Sequence, residues 1–209
     1  MKRILFIIIL FLLAAIPSSA QYYLGVIRGE AKKIPIAVLD IHDETGSPAL
    51  RALALEVLQT DLRRSQIFEV MDPKKLDLRS TGNMEPASDL IKRGGTFGLT
   101  GVVWARIQRK DKDIVLSGKL YDAVSAMRIT NKDYFGNEET FRRMVHTFAD
   151  EIVSRYTGEK GIARTRIAYV SDKIRFKELY VMDYDGQNAM KITADRSICL
   201  SPAWSPDGK

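Results

Sequence analysis

The sequence predicts a layered α/β domain followed by the start of a β-propeller, and three observations carry that expectation. A strand, helix, strand run occupies residues 34–71, two long segments repeat apolar residues at helical spacing, and two Asp-Gly turns fall in one unit near the carboxyl-terminal end. Strand-helix alternation builds layered sheets. A unit of about forty residues with close-set strands has the length of a propeller blade.

At the amino-terminal end, Lys2 and Arg3 precede an apolar run from Ile4 to Ile16 that ends in Pro17, Ser18, Ser19 and Ala20. A cationic start, a short apolar stretch and small residues before Gln21 make a secretory signal peptide. The run is shorter than the ~20 residues that span a bilayer. Residues 1–20 are therefore read as a signal peptide, and the exported chain as soluble. The net charge of +6 and 28% charged residues are ordinary for a solvated surface. Without a clustered Lys/Arg stripe interleaved with aromatics, no nucleic-acid partner is expected. Cys199 is the single cysteine, so an internal disulfide is excluded, and the thiol is expected buried in the blade as a small hydrophobe.

Tyr22–Ile27 and Ile34–Ile41 read as strands, the second holding the apolar run Ile36, Ala37, Val38 and Leu39 of a buried strand. A loop from His42 to Gly46 leads to Ser47 and Pro48, which suit the cap and first turn of a helix. Leu50, Leu53, Ala54, Val57, Leu58 and Leu62 mark its buried face. Ile67–Met71 is the next strand, and Asp72–Ser88, polar with two prolines, is a loop. A short helix over Asp89–Lys92 is expected to stop at Gly94 and Gly95. Gly101–Ile107 and Ile114–Tyr121 form a hairpin turning at 110–113, extended by a strand over Met127–Tyr134.

A second long helix starts near Asn137, with Glu138 and Glu139 opposing its dipole. Phe141, Met144, Val145, Phe148, Ile152 and Tyr156 form its buried stripe, and Gly158 ends it. Glu159–Thr165 reads as a linker, after which strands at Arg166–Ser171 and Glu178–Asp183 follow without helices. The change sets a domain boundary near Ala163.

Few constellations suggest chemistry. Gly94, Gly95, Gly98 and Gly101 run into a strand rather than opening a helix, which excludes a phosphate loop. Asp183, Asp185 and Gly186 begin like a calcium loop, but Asn188 and Ala194 stand where its glycine and bidentate glutamate belong. Asp185 and Gly186 are read as a tight turn between blade strands. His42 lies after a strand end, where α/β folds often contact ligands. His146 reads as a partly exposed helix residue. No Gly-x-Ser-x-Gly elbow and no candidate nucleophile is present, so neither catalytic residues, metal ligands nor a cofactor are expected. Near the end, Trp204 is placed to pack between blades before a second turn at Asp207 and Gly208.

Three stretches carry a resemblance: 161–170, 178–186 and 200–208, the last reading Leu-Ser-Pro-Ala-Trp-Ser-Pro-Asp-Gly. In this order, after an α/β domain and a signal peptide, the chain resembles the TolB family of the Tol-Pal envelope system of Gram-negative bacteria. The resemblance implies an α/β domain with a mixed sheet over residues 21–162, then a six-bladed β-propeller whose first, incomplete blade is 163–209. It further implies a monomeric, non-enzymatic periplasmic scaffold that links inner membrane, outer membrane and peptidoglycan, maintains outer-membrane integrity, and supports envelope constriction and protein transport.

The implied partners are a Pal-like peptidoglycan-associated lipoprotein on the propeller and a TolA-like inner-membrane protein on the mature amino-terminal segment. Tyr22, Tyr23, Leu24, Val26, Ile27 and Arg28 are the candidate contacts there, where an alternating strand can add to a sheet edge. The segment is less charged than the family's pattern. The alternative is an exported peptidase of prolyl-oligopeptidase type, gated by the propeller and carrying its catalytic domain further along.

Overall fold

The computed structural model describes residues 32–78 and 85–208. The signal peptide and the strand over Tyr22–Ile27 fall outside the described residues. The described elements are β1 (Ile34–Val38), β2 (His42–Asp43), α1 (Pro48–Arg64), β3 (Phe68–Met71), α2 (Ser88–Thr96), β4 (Gly101–Lys110), β5 (Asp113–Asp122), β6 (Arg128–Gly136), α3 (Glu138–Thr157), β7 (Arg166–Ile174), β8 (Phe176–Asp183) and β9 (Met190–Lys191).

The first six strands form one mixed sheet in the order β3-β1-β4-β5-β6, with β2 also on β4. β1 runs parallel to both β3 and β4, whereas β4, β5 and β6 are antiparallel. The strand expected to reach Ile41 is broken. β1 ends at Val38, the chain kinks at the exposed Asp40, and β2 resumes along β4 opposite Arg106 and Ile107.

Both long helices cover one face of the sheet. Ser47 caps α1 by accepting the Leu50 amide, and Pro48 occupies its first turn. Asn137 caps α3 through a reciprocal box with Thr140, and Gly158 closes it in the left-handed conformation at φ 75°. Their apolar stripes meet Ile36, Val103, Ile107, Leu116 and Leu120 in the main core. Gly118 on β5 makes the fit possible, because a Cβ there would lie 2.6 Å from the Phe148 ring.

The opposite face carries a smaller core around Trp104, Tyr121, Ile91 and Leu99 under α2. This helix does not stop before the glycine pair but runs through it. A Cβ on Gly95 would sit 2.5 Å from the Ala123 carbonyl oxygen, so Gly95 lets α2 lie against the β5–β6 turn, while Gly94 faces Leu99 and Val102 in the smaller core.

β7, β8 and β9 form a second, antiparallel sheet. The buried Glu178 ties it to the following loop, accepting hydrogen bonds from Thr193 Oγ1 at 2.5 Å and from the Arg196 amide at 3.1 Å. Ile167, Met190, Ile192, Ile198, Leu200 and Trp204 are exposed. Cys199 is half-buried rather than enclosed, and its thiol donates to Asp195 Oδ2 at 3.6 Å.

Candidate interaction site at the junction of the two sheets

The first Asp-Gly turn places its second carboxylate against the α/β domain. After β8 the chain reverses with the Gly186 amide donating to the Asp183 carbonyl at 2.8 Å, and Gly186 adopts φ +84°, a conformation glycine reaches without steric cost. Asp183 accepts from Asn188 Nδ2 at 2.6 Å within the same turn. Asp185 points the other way, and its side chain is only 4% exposed. Arg142 of α3 donates to its Oδ2 through Nε at 2.8 Å and also through a terminal guanidinium nitrogen.

Behind this pair, His146 stands one helical turn further along α3. It is not the partly exposed residue the sequence suggests: its side chain is 5% exposed, since both neighbouring elements close over it. Nδ1 lies 2.6 Å from Oδ2 of Asp61 on α1, and Nε2 lies 3.4 Å from Oδ2 of Asp185. One imidazole therefore bridges two helices and a turn of the second sheet.

Opposing effects set the acids of this cluster. Burial drives the Asp61 carboxyl upward, and His146 offsets this only in part, so it stays above the ordinary range. Burial also pushes Asp185 upward, but the Gln187 amide and the Arg142 guanidinium overcome it and hold the carboxyl below its ordinary value. Donors satisfy the Asp185 carboxylate, whereas Asp61 Oδ1 and His146 Nε2 are buried without a hydrogen-bond partner among the described residues, which is why burial dominates at Asp61.

Two further contacts fix the junction. Tyr184 donates through its hydroxyl to the Arg64 carbonyl at 3.4 Å, and Arg64 donates back to the Tyr184 carbonyl at 3.5 Å. Asp150 on α3 accepts from the Ala163 amide at 2.8 Å, the Arg164 amide at 3.3 Å and Arg164 Nε at 3.2 Å. The segment between α3 and β7 is thus anchored rather than loose.

Among the residues singled out from sequence, Asp183, Asp185 and Gly186 share one turn and only Asp185 reaches the junction. Trp204 is 43% exposed with the Arg166 guanidinium 5.2 Å from its ring centroid. Asp207 and Gly208 lie in a separate turn closed by the Gly208 amide on the Ser205 carbonyl at 2.9 Å. Tyr22, Tyr23, Leu24, Val26, Ile27 and Arg28 lie outside the described residues. His42 is half-buried beside Glu44, 3.3 Å from Oε1.

Sequence reasoning passes over Asp61, Arg142 and Asp150, and gives His146 only as a partly exposed helix residue. A signal was present: Asp61 continues the buried row of Val57 and Leu58 on α1, and His146 and Asp150 lie within the apolar stripe of α3. An ionisable residue at a buried helical position needs a partner from elsewhere in the fold.

A mixed α/β sheet covered by two long helices and followed by the start of a β-propeller defines the class of protein. The TolB amino-terminal domain family matches residues 22–129, more than half of the chain, and the TolB beta propeller domain matches residues 153–209. The chain belongs to the TolB family. It is 34% identical over 167 residues to the Tol-Pal system protein TolB of Syntrophotalea carbinolica, covering 79% of this chain and 39% of that protein. It is 32% identical over 197 residues to the protein of the same name from Geobacter sulfurreducens, covering 93% of this chain and 45% of that one. The chain therefore spans less than half the length of these relatives. The crystal structure of TolB from Acinetobacter baumannii superposes with a TM-score of 0.67 at 24% identity, over 85% of this chain and 43% of that one, which establishes the shared fold.

Proposed function

We propose that the protein is a non-enzymatic periplasmic component of a Tol-Pal envelope system, in which the propeller binds a Pal-like lipoprotein and the amino-terminal segment binds a TolA-like protein. By this reading it couples inner membrane, outer membrane and peptidoglycan, and so supports outer-membrane integrity and constriction at division. The observation that carries the reading is the TolB amino-terminal domain followed along the same chain by propeller sequence. The Asp61–His146–Asp185–Arg142 cluster supports it physically, because it holds the α/β domain against the start of the propeller, as a scaffold with partners on both parts requires.

The peptidase alternative gains nothing from the geometry. Asp61 and His146 resemble two members of a hydrolytic triad, but His146 Nε2 faces the Asp185 carboxylate where a triad holds the nucleophilic hydroxyl.

Affinity capture from detergent-solubilised envelopes tests the proposal. The tagged protein should retain a Pal-like lipoprotein and a TolA-like protein, and deletion of residues 21–33 should remove only the latter. Loss of both, or of neither, would overturn this division of labour.

A further inference from the structure

A cleft of about 660 Å³ opens on the α/β domain away from the junction, lined by Val38 and Asp40 after β1, by Met71 to Lys74 after β3, by Leu78, and by Leu55, Gln59 and Arg63 of α1. Its position follows from the connectivity. β1 leads into α1 on one face of the sheet, whereas β3, its parallel neighbour, leads into α2 on the other. Chains leaving adjacent parallel strands toward opposite faces leave a crevice beyond the carboxyl ends, where open α/β sheets bind ligands.

The walls are fixed. After β3 the chain forms a compact turn, with the Leu78 amide donating to the Pro73 carbonyl at 2.9 Å and the Lys75 amide to the Asp72 carbonyl at 3.1 Å. Leu55, Gln59 and Arg63 fall at four-residue steps along α1 and form the facing row.

The lining combines an apolar base with charges of both signs. Asp40 is paired with Arg51. Arg63 donates only to Gln59 Oε1, at 3.4 Å, and the Asp72 carboxylate accepts the Lys74 amide at 3.0 Å. Among the described residues, Arg63 and Lys74 have no carboxylate partner and Asp72 has no cationic one. A volume in the range of small-ligand sites, apolar side chains and a few convergent charges are the attributes of a binding pocket.

We propose that this cleft binds a short zwitterionic peptide of two or three residues with an apolar side chain. The side chain would lie against the half-buried Leu55 and Met71, above the core residues Val38 and Leu78, the carboxylate would meet Arg63 and Lys74, and the ammonium group would meet Asp72. The fork of Arg63 favours a planar carboxylate. The site is independent of the envelope partners proposed above.

Titration of the ¹⁵N-labelled protein with Ala-Leu-Ala tests it. Saturable shifts should appear at Asp40, Asp72 and Lys74, and N-acetylation or C-terminal amidation of the peptide should each weaken binding on the order of tenfold, the loss of one charge-assisted contact. Arg63→Gln and Lys74→Gln, both at exposed positions, should each weaken it comparably with an unchanged circular dichroism spectrum, and the double variant further. Absence of saturable shifts, shifts elsewhere, unchanged binding by the double variant, or equal binding of phosphoethanolamine or inorganic phosphate would overturn the proposal.

Discussion

Asp185 is the residue on which the junction depends, because its carboxylate satisfies Arg142 and faces His146 at once. Asp185→Ala leaves the half-buried Arg142 guanidinium and the buried His146 ring without that carboxylate, and leaving a partly buried donor unsatisfied costs about 1–3 kcal/mol. A comparable loss is expected in urea unfolding at neutral pH. The acid response has a definite sign. The folded carboxyl lies below its ordinary value of 3.8, so its stabilisation is complete above that pH and is lost as pH falls through the lower folded value. Between pH 6 and pH 3, the urea midpoint of the parent protein should therefore fall further than that of Asp185→Asn. Asp61 acts in the opposite sense, because burial raises its carboxyl: the pH range above its unfolded value is where its charge becomes unfavourable. None of this is legible from an Asp-Gly dipeptide, which announces a turn and says nothing of what the aspartate faces.

At the scale of the elements, the helices were legible and their ends nearly so. Ser47 and Pro48, and Asn137 with Gly158, act locally, so their meaning survives without tertiary information. Asn137→Ala removes one arm of the box with Thr140 and should cost about 1 kcal/mol, read as a lower thermal midpoint. Gly118→Ala should cost about 1–3 kcal/mol through overpacking against Phe148, with α3 displaced from the sheet. The breaks in pattern were harder to read. Gly94 and Gly95 suggested a helix end, yet both lie within α2 with no room for a Cβ on Gly95 against the Ala123 carbonyl, and the strand expected to run on to Ile41 ends at Val38 before the exposed Asp40.

For the whole molecule, the two sheets bury unequal amounts of apolar surface. The α/β domain encloses its core on both faces, whereas the second sheet leaves Met190, Ile192, Leu200 and Trp204 exposed. A propeller blade relies on its neighbours for burial, so in this chain amides of β7 and β8 should exchange with solvent faster than those of β4 and β5. Equal protection measured by hydrogen exchange would contradict that expectation. The contacts of Asp185, Tyr184 and Asp150 act against it locally, and protection in β8 is expected to be greatest beside Asp183.

Periodicity, capping and turn chemistry act over a few residues, so the class of fold, the long helices and the two Asp-Gly turns are legible in the sequence, and the TolB family is legible through the resemblance of three stretches near its end. The tertiary structure alone decided which charges meet. Asp61 and His146 lie 85 residues apart in sequence and 2.6 Å apart in space. Long-range pairing and crossover direction have no local signature, and so the pinned junction and the cleft between β1 and β3 emerge only when the chain is folded.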